Sequence, residues 1–240
     1  MLVPLTRQSF EELIPAVATS DQYKYYWGKF PDLLKRLLIS TVIICAMIIV
    51  YFINQDTGGI IIVFVIIGGL YWFWAPVLWA SLRNMDCRKY KYCGFWQGRV
   101  LDVFVTEELV GQEESVNKKG QLVIIDNFEE RINVEVGDTT GFSTIIKAPF
   151  KRIHDQIKPG QAVLMLVMSN EPDLGQIEKV SDIYIPSRKI WVSDYPYLRR
   201  DLFLEISNTL KKSRKSSPPS NEETPRNRRE TRTQKPRYYD

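Results

Sequence analysis

Two long apolar runs, separated by a short polar segment, constrain what this chain can fold into more than any other feature. The first covers residues 37–53 and the second residues 60–82, and neither contains Asp, Glu, Lys, Arg or His. A helix rises ~1.5 Å per residue, so runs of this length can cross a hydrocarbon core ~30 Å thick. The sequence therefore predicts a hairpin of two transmembrane helices over residues 37–82. A buried helical hairpin of a soluble protein is the alternative.

The flanks of the two runs predict on which side of the membrane the termini lie. Lysine and arginine precede the first run and follow the second, whereas residues 54–59 contain one acid and no base. Basic residues collect on the cytoplasmic side, so both termini are expected in the cytoplasm. Aromatic side chains favour the headgroup layer. They flank the hairpin at Tyr23, Tyr25, Tyr26, Trp27 and Phe30 and at Tyr90, Tyr92, Phe95 and Trp96.

The distribution of charge separates a neutral body from a basic tail. The chain has a net charge of +4, but residues 213–240 hold eight of its 32 lysines and arginines and four of its 28 acids, which leaves 24 of each in residues 1–212. A neutral body lacks the basic footprint of nucleic-acid binding, so no nucleic-acid partner is expected. The tail is rich in Ser, Pro, Asn and Arg and is expected to be disordered.

Residues 1–36 are expected to form an amphipathic, interfacial segment. Ser9 and Glu12 have the spacing of a capping box, which predicts a helix over residues 9–17. Its apolar positions are Phe10, Leu13, Ile14 and Val17, which share one helical face. That face is expected either on the membrane surface or against the soluble domain.

From residue 94 onward, apolar and polar side chains alternate in short segments that predict strands. Turn residues such as Lys158-Pro159-Gly160 separate these segments. The predicted strands cover residues 99–106, 121–127, 131–136, 142–147, 161–168, 176–185 and 189–192. Strands of this number and length predict a small antiparallel β-barrel or sandwich of the OB or SH3-like size, and we take the barrel as the expected form.

A C-terminal helix is expected after the last strand, because Ser193 or Asp194 can cap a helix with Pro196 in its first turn. We expect this helix to close one end of the barrel. Residues 94–212 then form a cytoplasmic β-rich domain, and the fold class is an α+β membrane protein with an N-terminal helical hairpin.

Motifs for catalysis, cofactor binding and metal binding are missing from the sequence. It contains no Gly-rich phosphate loop, dinucleotide fingerprint, zinc-protease motif or nucleophile elbow. The only histidine, His154, is remote from Cys87 and Cys93, so a zinc or redox site has little support. The acidic run at Glu107, Glu108, Glu113 and Glu114 is interpreted as a solvated loop, because it lacks the spacing of a calcium site. We therefore expect no enzyme activity, no cofactor and no metal.

Three stretches carry a resemblance to a known family: residues 25–30 (Tyr-Tyr-Trp-Gly-Lys-Phe), residues 94–108 and residues 191–201. They resemble an uncharacterised family of cyanobacterial membrane proteins, whose members are sometimes labelled phosphate ABC transporter permease. The resemblance covers residues 1–210. It implies a thylakoid or plasma membrane but no established activity. Membrane helices followed by a small barrel also resemble NfeD-like proteins at the level of fold.

These observations predict a non-enzymatic integral membrane protein that presents its cytoplasmic domain to a protein partner or to another copy of itself. Its role would be that of an assembly, scaffold or regulatory subunit. A subunit of a transporter or channel is the alternative, and a membrane-tethered enzyme using Cys87, Cys93 or His154 is a third hypothesis. Partner contact is expected from aromatic side chains at the junctions, namely Tyr25, Tyr26, Trp27, Trp96, Trp191, Tyr195 and Tyr197.

Overall fold

The computed structural model describes residues 2–53, 58–116 and 122–216 and has an α+β architecture. Within these ranges, six α-helices accompany one seven-stranded antiparallel sheet. One helix near the N-terminus is long and apolar enough to cross a membrane. The predicted turns over residues 54–57 and 117–120 lie outside the described residues.

The N-terminal segment contains a strand and two short helices instead of the single predicted helix. They are β1 (Leu2–Leu5), α1 (Arg7–Leu13) and α2 (Ser20–Trp27). Thr6 caps α1, because its hydroxyl accepts a hydrogen bond from the Ser9 amide at 3.3 Å. The helix therefore begins two residues before the predicted Ser9.

The apolar face of α1 packs inside the protein and does not lie on a membrane surface. Phe10, Leu13 and Ile14 are fully buried, whereas Val17, beyond the end of the helix, is exposed. The backbone helps to fix this contact, since the carbonyl of Leu13 accepts a hydrogen bond from the Arg199 amide at 2.9 Å.

α3 (Phe30–Ile53) is the long apolar helix. Pro31 and Asp32 lie in its first turn, where a missing N–H and a negative charge are both favourable. Arg36 is almost fully buried beside the end of α2, and its guanidinium donates to the carbonyls of Tyr26 and Trp27. The positive charge of Arg36 therefore lies at the C-terminal, negative end of the α2 dipole and stabilises it.

The second apolar run forms two helices, not one. α4 (Gly58–Gly69) and α5 (Tyr71–Arg88) meet at Leu70 with a bend of 70°. At a bend, some backbone N–H and C=O groups lose their helical hydrogen bonds. Here two side chains form hydrogen bonds with such groups. The Ser40 hydroxyl accepts from the Trp72 amide at 3.3 Å, and the Trp74 indole donates to the Ile67 carbonyl at 2.8 Å.

The bend does not lie at Pro76, which is inside α5, six residues after the bend. The two glycines before the bend allow α4 to approach α3 closely. A Cβ at Gly68 would collide with Ile43, and one at Gly69 would lie 3.2 Å from the Ile44 side chain.

The sheet contains β1 and six further strands. These are β2 (Tyr92–Val116), β3 (Leu122–Gly137), β4 (Ser143–Pro149), β5 (Ala162–Ser169), β6 (Lys179–Ile185) and β7 (Ile190–Val192). The order is β4-β3-β2-β5-β6-β7, with β1 on the edge of β2 opposite β5. A 3-10 helix, Arg152–Gln156, lies between β4 and β5.

The predicted barrel is wrong, because the sheet is open. β4 and β7 are its two ends, and the strand pairings within the described ranges do not join them. One face nevertheless forms a continuous core from Trp96 through Val134 and Met165 to Ile190. On the other face, Phe95, Tyr184 and Trp191 alternate with core residues, and Phe203 stacks on Phe95 with ring centroids 5.1 Å apart.

β2 and β3 are much longer than the predicted strands. The acidic run that was interpreted as a loop lies inside β2. The predicted strand 131–136 and residues 122–127 of the predicted strand 121–127 are parts of β3, and residue 121 lies outside the described residues. Residues 107–116 and 122–130 pair with each other beyond the ends of β4 and β5. We call this two-stranded extension the arm.

The C-terminal helix, α6 (Arg200–Ser216), begins later than predicted. Residues 193–199 form a loop, because the buried Asp182 carboxylate accepts a hydrogen bond from the Tyr197 amide at 2.9 Å. The chain divides into two compact units, Met1–Phe203 and Leu204–Asp240. The second contains the remainder of α6, which includes the first four residues of the predicted tail, and the rest of that tail lies outside the described residues.

The contact between α3 and α4 can be tested with two glycines of α4. Gly68→Ala should lower the free energy of unfolding by about 1–3 kcal/mol, because the new methyl group overpacks the contact with Ile43. Gly59→Ala is the matched control, since a Cβ there meets open space and alanine favours a helix. The midpoint of thermal unfolding is measured for the full chain of each variant in a mild detergent. Equal midpoints for the two variants would contradict the close packing.

Candidate functional site

Four tyrosines surround one arginine where α2, α5 and the loop after β7 meet. The Arg83 guanidinium carbon lies 4.3 Å from the ring centroid of Tyr195, 5.3 Å from that of Tyr197 and 5.8 Å from that of Tyr25. Its Nε donates to the Tyr197 hydroxyl at 3.0 Å. Tyr26 packs edge-on against Tyr195 at 5.7 Å. We call this cluster the tyrosine–arginine junction, and its cation–π contacts join helices to the sheet.

A pair of buried amide side chains supports the junction from beneath. Asn84 in α5 donates to the side-chain oxygen of Gln22 in α2 at 2.8 Å and to the Pro15 carbonyl at 2.9 Å. Gln22 in turn donates to the carbonyls of Pro196 and Tyr197. Both amides are fully buried, so each hydrogen bond forms in a low-dielectric environment and fixes the position of its partner.

The Tyr195 hydroxyl completes this network. It is within hydrogen-bond distance of the Asn84 side-chain oxygen at 3.2 Å and the Ala80 carbonyl at 3.3 Å. Burial raises the pKa of Tyr195 well above its usual range. The hydroxyl therefore stays protonated and serves as a donor at physiological pH.

Charged side chains connect the junction to the sheet. The Asp194 carboxylate lies 3.6 Å from Arg83 and 3.6 Å from Arg131 of β3. It also accepts a hydrogen bond from the Tyr25 hydroxyl at 3.4 Å. An open cavity of about 190 Å³ lies beside these groups, lined by Arg83, Lys147, Asp182, Asp194 and Tyr197 among others.

Asp182 is the one fully buried carboxylate of this region. One of its oxygens accepts from the Tyr197 amide, and the other has no hydrogen-bond partner among the described residues. Burial raises the pKa of Asp182 to about 7, because the backbone donors offset the loss of solvation only in part. The group thus titrates close to physiological pH.

A second cavity, of about 290 Å³, is lined by Tyr25 and shares Ser193 and Asp194 with the first. Its lining includes Trp191 and three cations, Lys24, Lys151 and Arg200, against two acids, Asp21 and Asp194. The Arg200 guanidinium carbon lies 5.3 Å from the Trp191 ring centroid. This cavity offers an aromatic wall and an excess of positive charge.

His154 lines the same cavity but is held in one neutral form. Its Nδ1 accepts from the Lys151 amide at 3.3 Å, and the ring also bonds to the backbone of Trp191. Burial and the Lys151 charge both lower the pKa of His154. The imidazole therefore stabilises the local backbone and has no free nitrogen with which to act as a base.

The structure brings four of the seven predicted contact residues together: Tyr25, Tyr26, Tyr195 and Tyr197. Tyr25 is exposed, whereas Tyr195 is buried at the centre of the cluster. Trp27 lies apart, against Arg36 and Trp72.

The two remaining contact residues lie in the sheet. Trp191 is half-buried and packs against Tyr184 and Phe203. Trp96 is 1% exposed and bonds to Asp138 inside the core, so its side chain is not available to a partner.

Four important residues of the site were missed by the sequence analysis: Gln22, Arg83, Asn84 and Asp182. Arg83 was counted only as a basic flank of the hairpin. The others are polar residues within short segments. The burial of Gln22 and Asn84 depends on contacts across 62 positions, and Asp182 is bonded by a loop residue 15 positions away. The tyrosine-rich segment after the last strand was the sequence feature that could have indicated this site.

Reactive groups are scarce in this part of the chain. Among the described residues, no group of three or more His, Cys, Asp or Glu side chains could hold a metal ion. Cys87 and Cys93 are free and buried, and burial raises the pKa of Cys93 to about 12. A thiol with so high a pKa is a poor nucleophile at neutral pH.

The titration of Asp182 should make stability depend on pH. Its pKa is about 7 in the folded chain and about 3.9 in an unfolded one, so the folded state binds the proton more tightly between these values. The free energy of unfolding should therefore fall by up to about 1.4 kcal/mol per unit as pH rises from ~4 to ~7, and then level off. Asp182→Asn should abolish this slope in denaturant titrations, whereas Asp155→Asn, at an exposed position, should keep it. An unchanged slope in Asp182→Asn would refute the assignment.

Comparison with known proteins gives one match. A family model described as a family of unknown function (DUF8619) matches residues 3–215. No curated protein and no solved structure matches the chain. The matched range contains α1 to α5, the strands β2 to β7 and every residue of the tyrosine–arginine junction. The chain therefore belongs to the DUF8619 family.

Proposed function

We propose that this protein is a non-enzymatic membrane protein that presents its sheet domain to a protein partner at the cytoplasmic face. In this proposal α3 and the bent pair α4–α5 form the membrane anchor, and both termini are cytoplasmic. The resemblance found in the sequence suggests a cyanobacterial thylakoid or plasma membrane. The role would be that of an assembly, scaffold or regulatory subunit.

The observation that carries the proposal is the uncovered apolar surface of α3 and α4. Large apolar side chains along both helices remain exposed, among them Val42, Ile49, Ile53, Ile62 and Phe64. A soluble protein would leave this surface in contact with water at a cost of ~25 cal/mol for each Å². A hydrocarbon environment removes that cost. The basic and aromatic residues next to the hairpin support the same orientation that the sequence predicts.

Support for a binding role comes from the junction and the cavities beside it. The tyrosines are held by a satisfied network of hydrogen bonds, so they form a rigid surface instead of a flexible one. The cavity bounded by Tyr25 and Trp191 carries more cations than acids. We propose that an acidic segment of a protein partner binds there, since aromatic and arginine side chains are the common anchors of interfaces.

The anchor is tested by placing charges on α3. Val42→Arg together with Ile49→Arg should cost about 5–7 kcal/mol for insertion, because each arginine at the centre of a bilayer costs about 2.5–3.5 kcal/mol. We expect most of this variant to be lost from the fraction that resists alkaline carbonate extraction. Ile145→Arg with Ile153→Arg, at similarly exposed positions of the sheet domain, should remain in it. Retention of both variants would place α3 outside the bilayer.

The partner surface is tested by affinity purification of the full chain from its native membrane. Tyr25→Ala with Lys151→Glu removes one ring and reverses one charge in the second cavity, and we expect at least tenfold lower recovery of the partner. Tyr92→Ala with Lys158→Glu makes the same changes at exposed positions outside that cavity and should leave recovery unchanged. Equal recovery with both variants would remove this surface from the proposal.

The same eluate distinguishes the alternative function. A nucleotide-binding ATPase and further membrane subunits at near-stoichiometric yield would favour an accessory subunit of a transporter. A single soluble or membrane-bound protein of another class would favour the assembly role.

A further inference from the structure

The arm has two open edges, and one of them is regular. β4 pairs with β3 only over residues 131–137, so no described strand lies beside the outer edge of β3 over residues 122–129. The outer edge of β2 is also open, but β2 contains one extra residue, Val110, and a bulge of this kind disfavours a further strand. The edge of β3 therefore presents an uninterrupted row of unpaired N–H and C=O groups to which an extended segment can bind.

On one face of the arm, cations of the sheet neutralise the acids. Glu108 and Glu129 lie opposite each other across the two strands. The side-chain nitrogens of Arg131 lie 3.3 Å from the Glu108 carboxylate and 3.7 Å from that of Glu129. The ammonium group of Lys147 lies 2.8 Å from the Glu108 carboxylate. Two cations thus balance two acids, and this face needs no charged partner.

The opposite face of the arm has acids without such cations. It is the face that continues the buried stripe of Ile132 and Val134. Its acids are all exposed, and within the described residues they form no ion pair: Glu107, Glu114, Asp126 and Glu130. The described part of the arm contains no lysine, arginine or histidine, and the two lysines of residues 117–121 lie outside it. We call this surface the acidic face of the arm.

The charge of the acidic face determines which kind of partner it fits. Glu107 and Glu130 lie directly opposite each other, and like charges at this spacing repel. A second copy of the same face would bring four more acids against these four. The acids therefore oppose self-association and protect the open edge from it, whereas they attract a segment that carries positive charge.

Apolar side chains accompany the acids along β3. In chain order, this face of the strand presents Leu122, Ile124, Asp126, Phe128 and Glu130. The three apolar side chains are 60–67% exposed. A strand added at the edge places its own side chains about 5 Å from these, where opposite charges and apolar pairs are favourable. The matching strand therefore has a cation beside each acid and a large apolar side chain beside Phe128.

We propose that the outer edge of β3 in the arm binds an extended, basic segment of a protein partner as an additional strand. The segment carries lysine or arginine four positions apart, next to Asp126 and Glu130, and a large apolar side chain midway between them. This surface is separate from the second cavity and prefers the opposite charge, so it does not depend on the proposed acidic partner. It also does not depend on the membrane anchor, which contributes no residue to it.

The first test uses the full chain in a mild detergent at ~0.15 M ionic strength, where weak surface attraction is screened. The probe is a fluorescent peptide of sequence KTVTKTVTK, called the lysine peptide, whose lysines and valines alternate on one face of a strand. Fluorescence anisotropy should show binding at least tenfold tighter than that of ETVTETVTE, the glutamate peptide. The permuted peptide KKKTTTTVV, which has the composition of the lysine peptide without its alternation, should also bind at least tenfold more weakly.

The second test exchanges the charges of the acidic face. Asp126→Lys with Glu130→Lys should weaken binding of the lysine peptide at least tenfold and strengthen binding of the glutamate peptide by a similar factor. The gain for the glutamate peptide shows that the variant is folded. Asp155→Lys with Glu171→Lys is the matched control, since it makes the same change in net charge at exposed positions outside the arm and should alter neither affinity.

The third test asks whether the peptide binds as a strand. A lysine peptide with every backbone amide N-methylated keeps its side chains but cannot donate backbone hydrogen bonds, so it should bind at least tenfold more weakly. Undiminished binding of this peptide, equal binding of the lysine peptide and either control peptide, or an unchanged preference after the charge exchange would overturn the proposal. So would a dimer formed through the arm, or insertion of the arm into phosphatidylcholine vesicles, that excludes the lysine peptide.

Discussion

The contact between two buried amides, Gln22 and Asn84, is the interaction on which the rest of this structure depends. Gln22 forms a reciprocal capping box with Thr19 and so stabilises the start of α2. It also holds the loop after β7 by donating hydrogen bonds to two carbonyls of that loop. Asn84 fixes α5 to the same point and accepts the Tyr195 hydroxyl. Three parts of the chain that are far apart in sequence thus meet at two side chains. Since both are fully buried, a lost hydrogen bond here leaves an unsatisfied partner without access to water.

The sequence predicted the elements whose signal is local. The apolar run of α3 and most strand segments of the sheet follow from composition and periodicity within short windows. The bend at Leu70 has no such local signal, because it requires Ser40 and Trp74 to satisfy the freed backbone groups. The barrel was wrong for a related reason. Closure depends on which strands become neighbours, and alternation along one strand carries no information about that.

The site was predicted only in part. As with the fold, residues that have a local sequence signal were identified and those that depend on tertiary contacts were not. Tyrosines that follow or precede apolar segments are recognisable from sequence, and four of them do converge on Arg83. Trp96 looked equivalent in the sequence, yet it belongs to the core. Polar residues such as Asp182 gave no signal, because its burial arises only when the loop after β7 folds over it. The acidic run of β2 was misinterpreted, since a strand with glutamates on both faces has the composition of a loop.

β2 has a mechanical consequence as the longest element of the sheet. It begins four residues after α5 ends and continues as one strand for 25 residues, so one strand connects the core to the far end of the arm. At ~3.3 Å per residue such a strand is roughly 80 Å long when extended. The pairing register shifts near Leu101 and Val110 are the two places where the strand bends. These two bends therefore set the direction in which the arm leaves the sheet, while the first half of β2 stays fixed by its neighbours on both edges.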